Sequence, residues 1–333
     1  MREFLDVADT IRDGLQPNPL REQFDLVFKA IAELQAVFAK STIDLSNIES
    51  VFAAFEMADL FGRLGTLQES ELRSLTSAIK SVIVTTLEKR LRFPVRDKDR
   101  HILPPRPYDE FAQLIRQMRE VPTALTVMTF NYELAVDYAF YFNSIPTGYC
   151  LALGDTAGAV PLLKLHGSLN WTRCPHCKAI HAVEMQQLLK WPPLMPIGGD
   201  VLLPLSQYLP QCGSCGVPSV PEPLIIPPTW NKTQHYAEIR NVWSVAARHL
   251  SEAENIVVIG YSLPDTDHFF HYLYALGTVG TTRLKRFWIT NPDDTIRKRF
   301  ESLLGLLAKE RVIVDPTGFG EDMNRLRHEF ARK

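Results

Sequence analysis

Ile256-Val-Val-Ile259-Gly260-Tyr261-Ser262-Leu263-Pro264-Asp265-Thr266-Asp267 is the stretch on which the reading of the fold turns. Four β-branched residues in succession read as a short strand, and the run breaks at once into glycine, hydroxyl and carboxylate residues. A helix is expected over Thr266–Leu276. The same order then repeats. Arg286–Thr290 reads as a strand ending in Asn291-Pro292-Asp293, with a helix over Asp294–Leu307; Val312–Val314 reads as a strand, with a helix over Glu321–Ala331. Strands separated by helices of about ten residues or more imply a parallel sheet with helices on both faces. In such sheets ligands bind where the strands end.

Upstream, Ala124–Thr129 and Val160–Leu165 are two further strand-like runs, the first followed by a helical stretch, Tyr132–Phe142. Leu224–Ile226 is a short strand candidate and Tyr236–Leu250 a helix. The first third is helical throughout. Leu20, Phe24, Val27, Phe28, Ile31, Leu34 and Phe38 form one apolar stripe. Ser46-x-x-Glu49 and Thr66-x-x-Glu69 read as capping boxes. Ile48, Val51, Phe52 and Phe55 face inward behind the first box. Leu72, Leu75, Ile79, Ile83, Leu87 and Leu91 do so behind the second. A proline-rich connector, His101–Pro107, leads to a helix over Tyr108–Glu120. These stripes read as helix-on-helix core.

At 333 residues the chain is long enough for two domains, taking roughly 100–200 residues for each. Hydrophobic residues make up 46% and charged residues 22%, which excludes a disordered chain, a collagen-like repeat and a coiled-coil rod. Lys+Arg 36 against Asp+Glu 38 leaves a net charge of -2, so no overall basic field exists to hold nucleic acid. No apolar run is long enough to span a bilayer, and the charged start lacks a secretory apolar core; the expected location is the cytoplasm.

Four strand tips collect the polar residues. They are Thr129-Phe-Asn131-Tyr-Glu133, His166-Gly167-Ser168-Leu-Asn170, Gly260-Tyr261-Ser262 and Asn291-Pro-Asp293. Any one of them reads equally as turn and cap residues. Four along one sheet edge suit a ligand bearing ribose and amide groups, such as a nucleotide. His166 sits at a strand end with Gly167 beside it, where an imidazole can take a proton from a sugar hydroxyl or from water. His235, His268 and His271 lie in helical patterns and read as packing or surface residues.

Four of the five cysteines form two C-x-x-C pairs, Cys174/Cys177 and Cys212/Cys215. Four thiolates suit a closed structural zinc site; a redox dithiol is the alternative for either pair alone. Cys150 stands apart and reads as a small buried residue.

T-x-N-x-E at Thr129–Glu133, L-H-G-S at Leu165–Ser168, the two cysteine pairs, G-Y-S-L at Gly260–Leu263 and a strand ending in Asn291 follow in that order. From about Val121 to Asp293 the chain resembles the sirtuin-like NAD-binding superfamily. The resemblance implies a sirtuin-like α/β Rossmann parallel sheet, with an N-terminal helical module and an inserted zinc ribbon. It implies NAD as substrate and zinc as a structural metal. In its terms, residues 1–18 are a residual first helix of the Rossmann domain and 19–120 the helical module. Residues 121–172 and 220–333 form the NAD-binding domain, and 173–219 the zinc-ribbon insertion with Cys174, Cys177, Cys212 and Cys215 as ligands. His166 matches the catalytic histidine and Asn131 the asparagine facing the nicotinamide-ribose end of NAD. Ser262 matches the serine of the phosphate and ribose loop, and Asn291 the asparagine near the adenosine ribose. Thr129, Glu133 and Gly260 lie in the same NAD-contacting motifs. Glu133 stands where sirtuins commonly have aspartate, and Phe130 replaces the usual glutamine.

Two departures shape the functional expectation. Protein deacylases of this superfamily follow the ribbon with a Phe-Gly-Glu strand that helps hold the acyl-lysine peptide; here the stretch is Pro223-Leu-Ile-Ile-Pro-Pro-Thr-Trp230-Asn-Lys232. This form, with the helix around Asn47-Ile-Glu49, resembles the bacterial sirtuin-like NAD hydrolases of antiphage defence. The second departure is that the family's opening strand and Gly-Ala-Gly loop are not found. Only Gly14 precedes Gly62, and Arg2–Leu5 resembles the segment after the loop. A gap is therefore expected in the sheet beside Ala124–Thr129 or Ile256–Ile259, with weak NAD binding, activity impaired or lost for want of the glycine loop, and an open edge that a protein partner or a second copy would cover. The leading expectation is cleavage of the nicotinamide–ribose bond. An NAD-dependent protein-lysine deacylase and a non-catalytic nucleotide-binding or interaction module are the alternatives.

Overall fold

The computed structural model describes residues 2–35, 43, 45, 48–96, 98, 101–119, 124–152, 158–188, 195–197, 200–202, 212–217, 222–226, 239–263, 268–280, 282–293, 295–321 and 323–330. Four helices come first: α1 (Arg2–Gly14), α2 (Pro19–Leu34), α3 (Ile48–Phe61) and α4 (Glu69–Arg90). Asn18 caps α2, its side chain accepting from the Arg21 N–H at 2.8 Å, with Pro19 in the first turn, where a missing N–H costs nothing. The expected stripe is the buried one. Phe24, Val27 and Ile31 of α2 meet Val51, Phe52 and Phe55 of α3 and Leu72, Leu75 and Ile79 of α4. The Thr66–Glu69 capping box does not form. Gly65 turns the chain at φ +50°, Glu33 of α2 takes both the Thr66 N–H (3.2 Å) and its hydroxyl, and α4 starts after Gln68, whose N–H donates to Glu71 at 2.7 Å. A tertiary carboxylate has outcompeted the local one. The Ser46–Glu49 box lies outside the described residues.

The chain continues through β1 (Phe93–Arg96), β2 (His101–Ile102), α5 (Arg106–Arg119), β3 (Val127–Thr129), α6 (Ala135–Phe142), β4 (Thr147–Gly148) and β5 (Val160–Lys164). Next come β6 (Gly167–Arg173), β7 (Ile180–Ala182), α7 (Met185–Leu188), β8 (Met195–Ile197), β9 (Asp200–Leu202) and β10 (Glu222–Ile225). The last third holds α8 (Arg240–Glu252), β11 (Asn255–Ile259), α9 (His268–Gly277), β12 (Arg286–Thr290), α10 (Ile296–Leu303), α11 (Leu306–Lys309), β13 (Val312–Asp315) and α12 (Met323–Phe330).

The expected parallel strands fall into two sets, in the orders β3-β5-β4 and β11-β12-β13. Thr129 pairs with Lys164 in the first, and Ile259 with Thr290 in the second. Among the described residues β3 and β11 are edge strands. One apolar core nonetheless serves both sets: Leu163 and Leu165 of the β5 run pack in the same cluster as Phe287 and Ile289 of β12, with Met128, Phe130, Ile256 and Val258 against it.

The strand candidate at Leu224–Ile226 falls in β10, which runs antiparallel to β6. Two expectations are corrected. The helix expected from Tyr132 starts only at Ala135, because residues 131–134 form the turn between β3 and α6. The helix over Asp294–Leu307 is broken at Gly305 into α10 and α11. The cysteine region is also less separate than a free insertion. Its strand β9 pairs antiparallel with β1 (Phe93↔Val201), while Val84, Phe93, Leu169, Val183 and Val201 share one core.

Candidate functional site

The β5 side chains alternate. Leu163 joins the core shared with β12, while Leu162 faces the cluster built on α5 and α6. That alternation carries the strand to Leu165 and delivers His166 at its carboxyl tip. Three hydrogen bonds hold the backbone of this tip: Leu165 N–H to Thr129 O (3.0 Å), the Trp243 indole Nε1–H to Leu165 O (3.1 Å), and Ile226 N–H to His166 O (2.8 Å). Gly167 then turns at φ +85°, and a Cβ there would lie 2.0 Å from the Leu224 carbonyl oxygen. Glycine is required because β10 passes too close for any side chain.

The imidazole of His166 is buried and flanked by aromatic rings, Phe130 at 5.0 Å and Tyr132 at 6.2 Å between centroids. Phe130 in turn stacks on Tyr261 at 4.6 Å and 19°, and meets Phe270 edge-on. The tips of β3, β5 and β11 therefore converge through one aromatic contact chain. Asn131, next to Phe130, and Ser262, next to Tyr261, are both exposed. The Asn131 N–H donates to Thr129 Oγ1 at 3.1 Å, so Thr129 shapes the turn with its own hydroxyl. Gly260 has φ +66° with open space where a Cβ would stand, so the backbone there is accessible. The Ser262 carbonyl accepts from Arg299 at 3.2 Å. Asn291 is buried at the β12 tip, where its Oδ1 accepts from the Asp293 N–H at 2.9 Å and its amide donates to Tyr261 O at 3.4 Å.

Glu133 departs from the rest of the set. Its carboxylate accepts from the Ala135 N–H at the start of α6 and from Tyr108 of α5 at 3.2 Å, so it is engaged inside the protein. Burial raises its pKa, against the lowering influence of Lys164 and of the Ala135 N–H. Behind the tips runs a buried polar chain whose Lys164, Asp137 and Tyr149 lie outside every motif described above. Lys164 and Asp137 are fully buried and paired at 2.8 Å. Asp137 also accepts from Tyr149 at 2.7 Å, Tyr149 from Asn170 at 3.0 Å, and Asn170 from Ser168 at 2.7 Å. Burial, followed by the Asp137 charge, raises the Tyr149 pKa well above the phenol range. The available signal was Lys164 itself, a cation inside the apolar run Val160-Pro-Leu-Leu-Lys-Leu165.

The two cysteine pairs come together, with ligand atoms all within 4.8 Å of one another. The close approaches run between pairs: Cys174 to Cys215 at 3.7 Å and Cys177 to Cys212 at 3.6 Å. Sulfurs at about 2.3 Å around a tetrahedral zinc lie about 3.8 Å apart, so the cluster fits that metal as a closed four-cysteine centre. Backbone N–H groups of Cys215 and Ser214, ahead of His181, hold the Cys212 thiol down at about 5. Cys150 is buried far along the chain, its sulfur near the Gly148 carbonyl. No helix among the described residues is long and apolar enough to cross a membrane.

The fold is similar to solved Sir2 homologues. One, in complex with NAD, is 21% identical, with a TM-score of 0.41 over 78% of this chain and 74% of that one. A variant Sir2 homologue in complex with ADP-ribose is 20% identical, with a TM-score of 0.41 over 78% and 76%. Sir2Tm bound to a propionylated peptide is 18% identical, with a TM-score of 0.35 over 68% and 70%. No family model matches the chain, and no curated protein matches it.

Proposed function

We propose that this is a sirtuin-like NAD-binding protein that hydrolyses the nicotinamide–ribose bond, in the manner of antiphage-defence NAD hydrolases. The observation that carries the reading is the convergence of three strand tips on His166, through Phe130 stacked on Tyr261. In this reading residues 121–172 and 220–333 form the NAD-binding unit. Asn131, exposed at the β3 tip, orients the nicotinamide end or the attacking water with its amide. His166 takes a proton from a ribose hydroxyl or from water. Gly260 and Ser262 offer backbone and hydroxyl groups to the phosphates and ribose, and Asn291 stiffens the same edge through Tyr261. The zinc centre is structural: four thiolates leave no open position for water. Its mechanical role follows from β6, which starts one residue after His166 and ends one before Cys174.

Hydrolysis is favoured over protein deacylation by the strand that leaves the ribbon. In Pro223-Leu-Ile-Ile-Pro227-Pro228 three residues lack the N–H that adding a peptide strand needs. The test is nicotinamide release from NAD by purified protein, with and without an acetyl-lysine peptide. Release independent of the peptide, lost in both His166→Ala and Asn131→Ala, supports the reading. Peptide-dependent release moves the assignment to a deacylase, and the absence of any release moves it to a non-catalytic nucleotide-binding module.

A further inference from the structure

The carboxyl edge carries one costly feature that the proposed chemistry does not use. Lys164 stands at an inward position of β5, fully buried, on the face that packs α6. Its ammonium donates to Asp137 at 2.8 Å and to the Glu133 backbone carbonyl at 2.7 Å. A buried ion pair is poor value as a stabiliser, since desolvation of two charges offsets most of their attraction and an apolar pair often does as well. What an apolar pair cannot do is donate to a carbonyl. The Glu133 carbonyl belongs to the turn 131–134, which holds Asn131, and Lys164 lies two residues before His166 on the neighbouring strand. One side chain thus ties the asparagine turn to the histidine strand. The tie is set from several sides. Asp137 is fixed by Tyr149 at 2.7 Å, and Tyr149 accepts from Asn170 at 3.0 Å, whose amide also reaches the Val183 carbonyl at 2.9 Å. On the other flank the Leu169 N–H holds the Tyr132 carbonyl at 3.0 Å, so two successive carbonyls of the turn are pinned by β5 and β6.

We propose that Lys164 is the positioning residue of this site, fixing Asn131 against His166 through the Glu133 carbonyl, with Asp137 holding the ammonium in place. The proposal rests on the NAD-cleaving reading for its kinetic consequence, but its structural consequence stands apart from it. Misplacement of a reacting group by about 1 Å costs on the order of 100-fold in rate.

The experiment compares two variants. Lys164→Met/Asp137→Leu removes both charges and the donor to Glu133. Asp137→Asn keeps Lys164 as a donor to Glu133 but breaks the ion pair. A merely structural role makes activity follow stability. Positioning by Lys164 reverses the order: the double variant melts higher than Asp137→Asn, yet its kcat falls about 100-fold while Asp137→Asn stays within about tenfold of wild type, with KM for NAD little changed in either. Hydrogen–deuterium exchange of residues 131–135 is read on the same samples, and in the double variant it should speed up by about tenfold or more while β12 stays protected. A double variant with wild-type kcat, or with unchanged exchange in the turn, overturns the proposal. Wild-type protein that releases no nicotinamide refutes the NAD-cleaving reading, and the exchange data then decide alone whether Lys164 pins the turn. Should the double variant fail to fold, exchange in Lys164→Gln, which retains an amide donor, must stay near wild type and that in Lys164→Met must rise; equal exchange in the two overturns the proposal.

Discussion

Replacing Gly167 by alanine tests how tightly His166 is held. Two costs add. An L-residue at φ +85° leaves its allowed backbone region, at about 1–2 kcal/mol. The new Cβ would sit 2.0 Å from the Leu224 carbonyl oxygen, which belongs to backbone and cannot swing aside. Strands β6 and β10 must part, loosening the Ile226 N–H bond to the His166 carbonyl and at least one bond in the Leu224↔Ser168 region, at about 1 kcal/mol each. The sum is about 3–4 kcal/mol; at about 2.1 cal/mol/K of unfolding entropy per residue, this lowers Tm by roughly 4–6 °C in a chain of 333 residues. Gly158→Ala is the control, because Gly158 also has positive φ (+74°) but open space where its Cβ would stand. It should lose only the backbone cost, about 1–2 kcal/mol. Calorimetry of the three proteins makes the comparison. Equal melting temperatures for Gly167→Ala and Gly158→Ala would show that β10 does not clamp the histidine tip.

Three further outcomes are expected. Metal analysis should find zinc bound to the wild-type protein, lost in Cys212→Ser and kept in Cys150→Ser; zinc retained by Cys212→Ser contradicts the four-cysteine centre. For Glu133, burial raises the folded pKa above the ordinary value of 4.5. The folded state therefore binds the proton more tightly, and this contribution is present below pH 4.5 and is lost as pH rises through the folded pKa. Glu133→Gln should accordingly gain on wild type in Tm from about pH 5 to pH 8; a constant difference across that range contradicts the burial argument. Asn18→Ala removes the cap of α2 and should cost about 1 kcal/mol in a urea titration, with no effect on NAD turnover.

The strands β11, β12 and β13 were legible because short runs rich in β-branched and aromatic residues, each bounded by turn residues, alternate there with helical stretches. Their tips, and with them His166, Asn131 and Ser262, were legible for the same reason: polar residues gather where such strands end. The β1–β9 pairing was not legible. Phe93 and Val201 lie over a hundred positions apart in the chain, and Pro94 argues locally against a strand. The Thr66 box failed because a carboxylate from another helix bonded it first, which no local pattern reports. Asp137 and Lys164 were hidden more deeply. Each looks like a stray charge in an apolar run, and only the crossover through α6 and β4 places them 2.8 Å apart.

In the proposed function, His166, at the meeting point of three strand tips, drives cleavage of NAD. The direct measurement is a time course of NAD, nicotinamide and ADP-ribose with purified wild-type protein and with His166→Ala, both checked for folding by circular dichroism. Wild type should convert NAD into equal amounts of nicotinamide and ADP-ribose without a peptide, and His166→Ala should stay folded and release neither. Nicotinamide released by His166→Ala at the wild-type rate, or intact NAD after prolonged incubation with zinc-loaded wild type, would contradict that function.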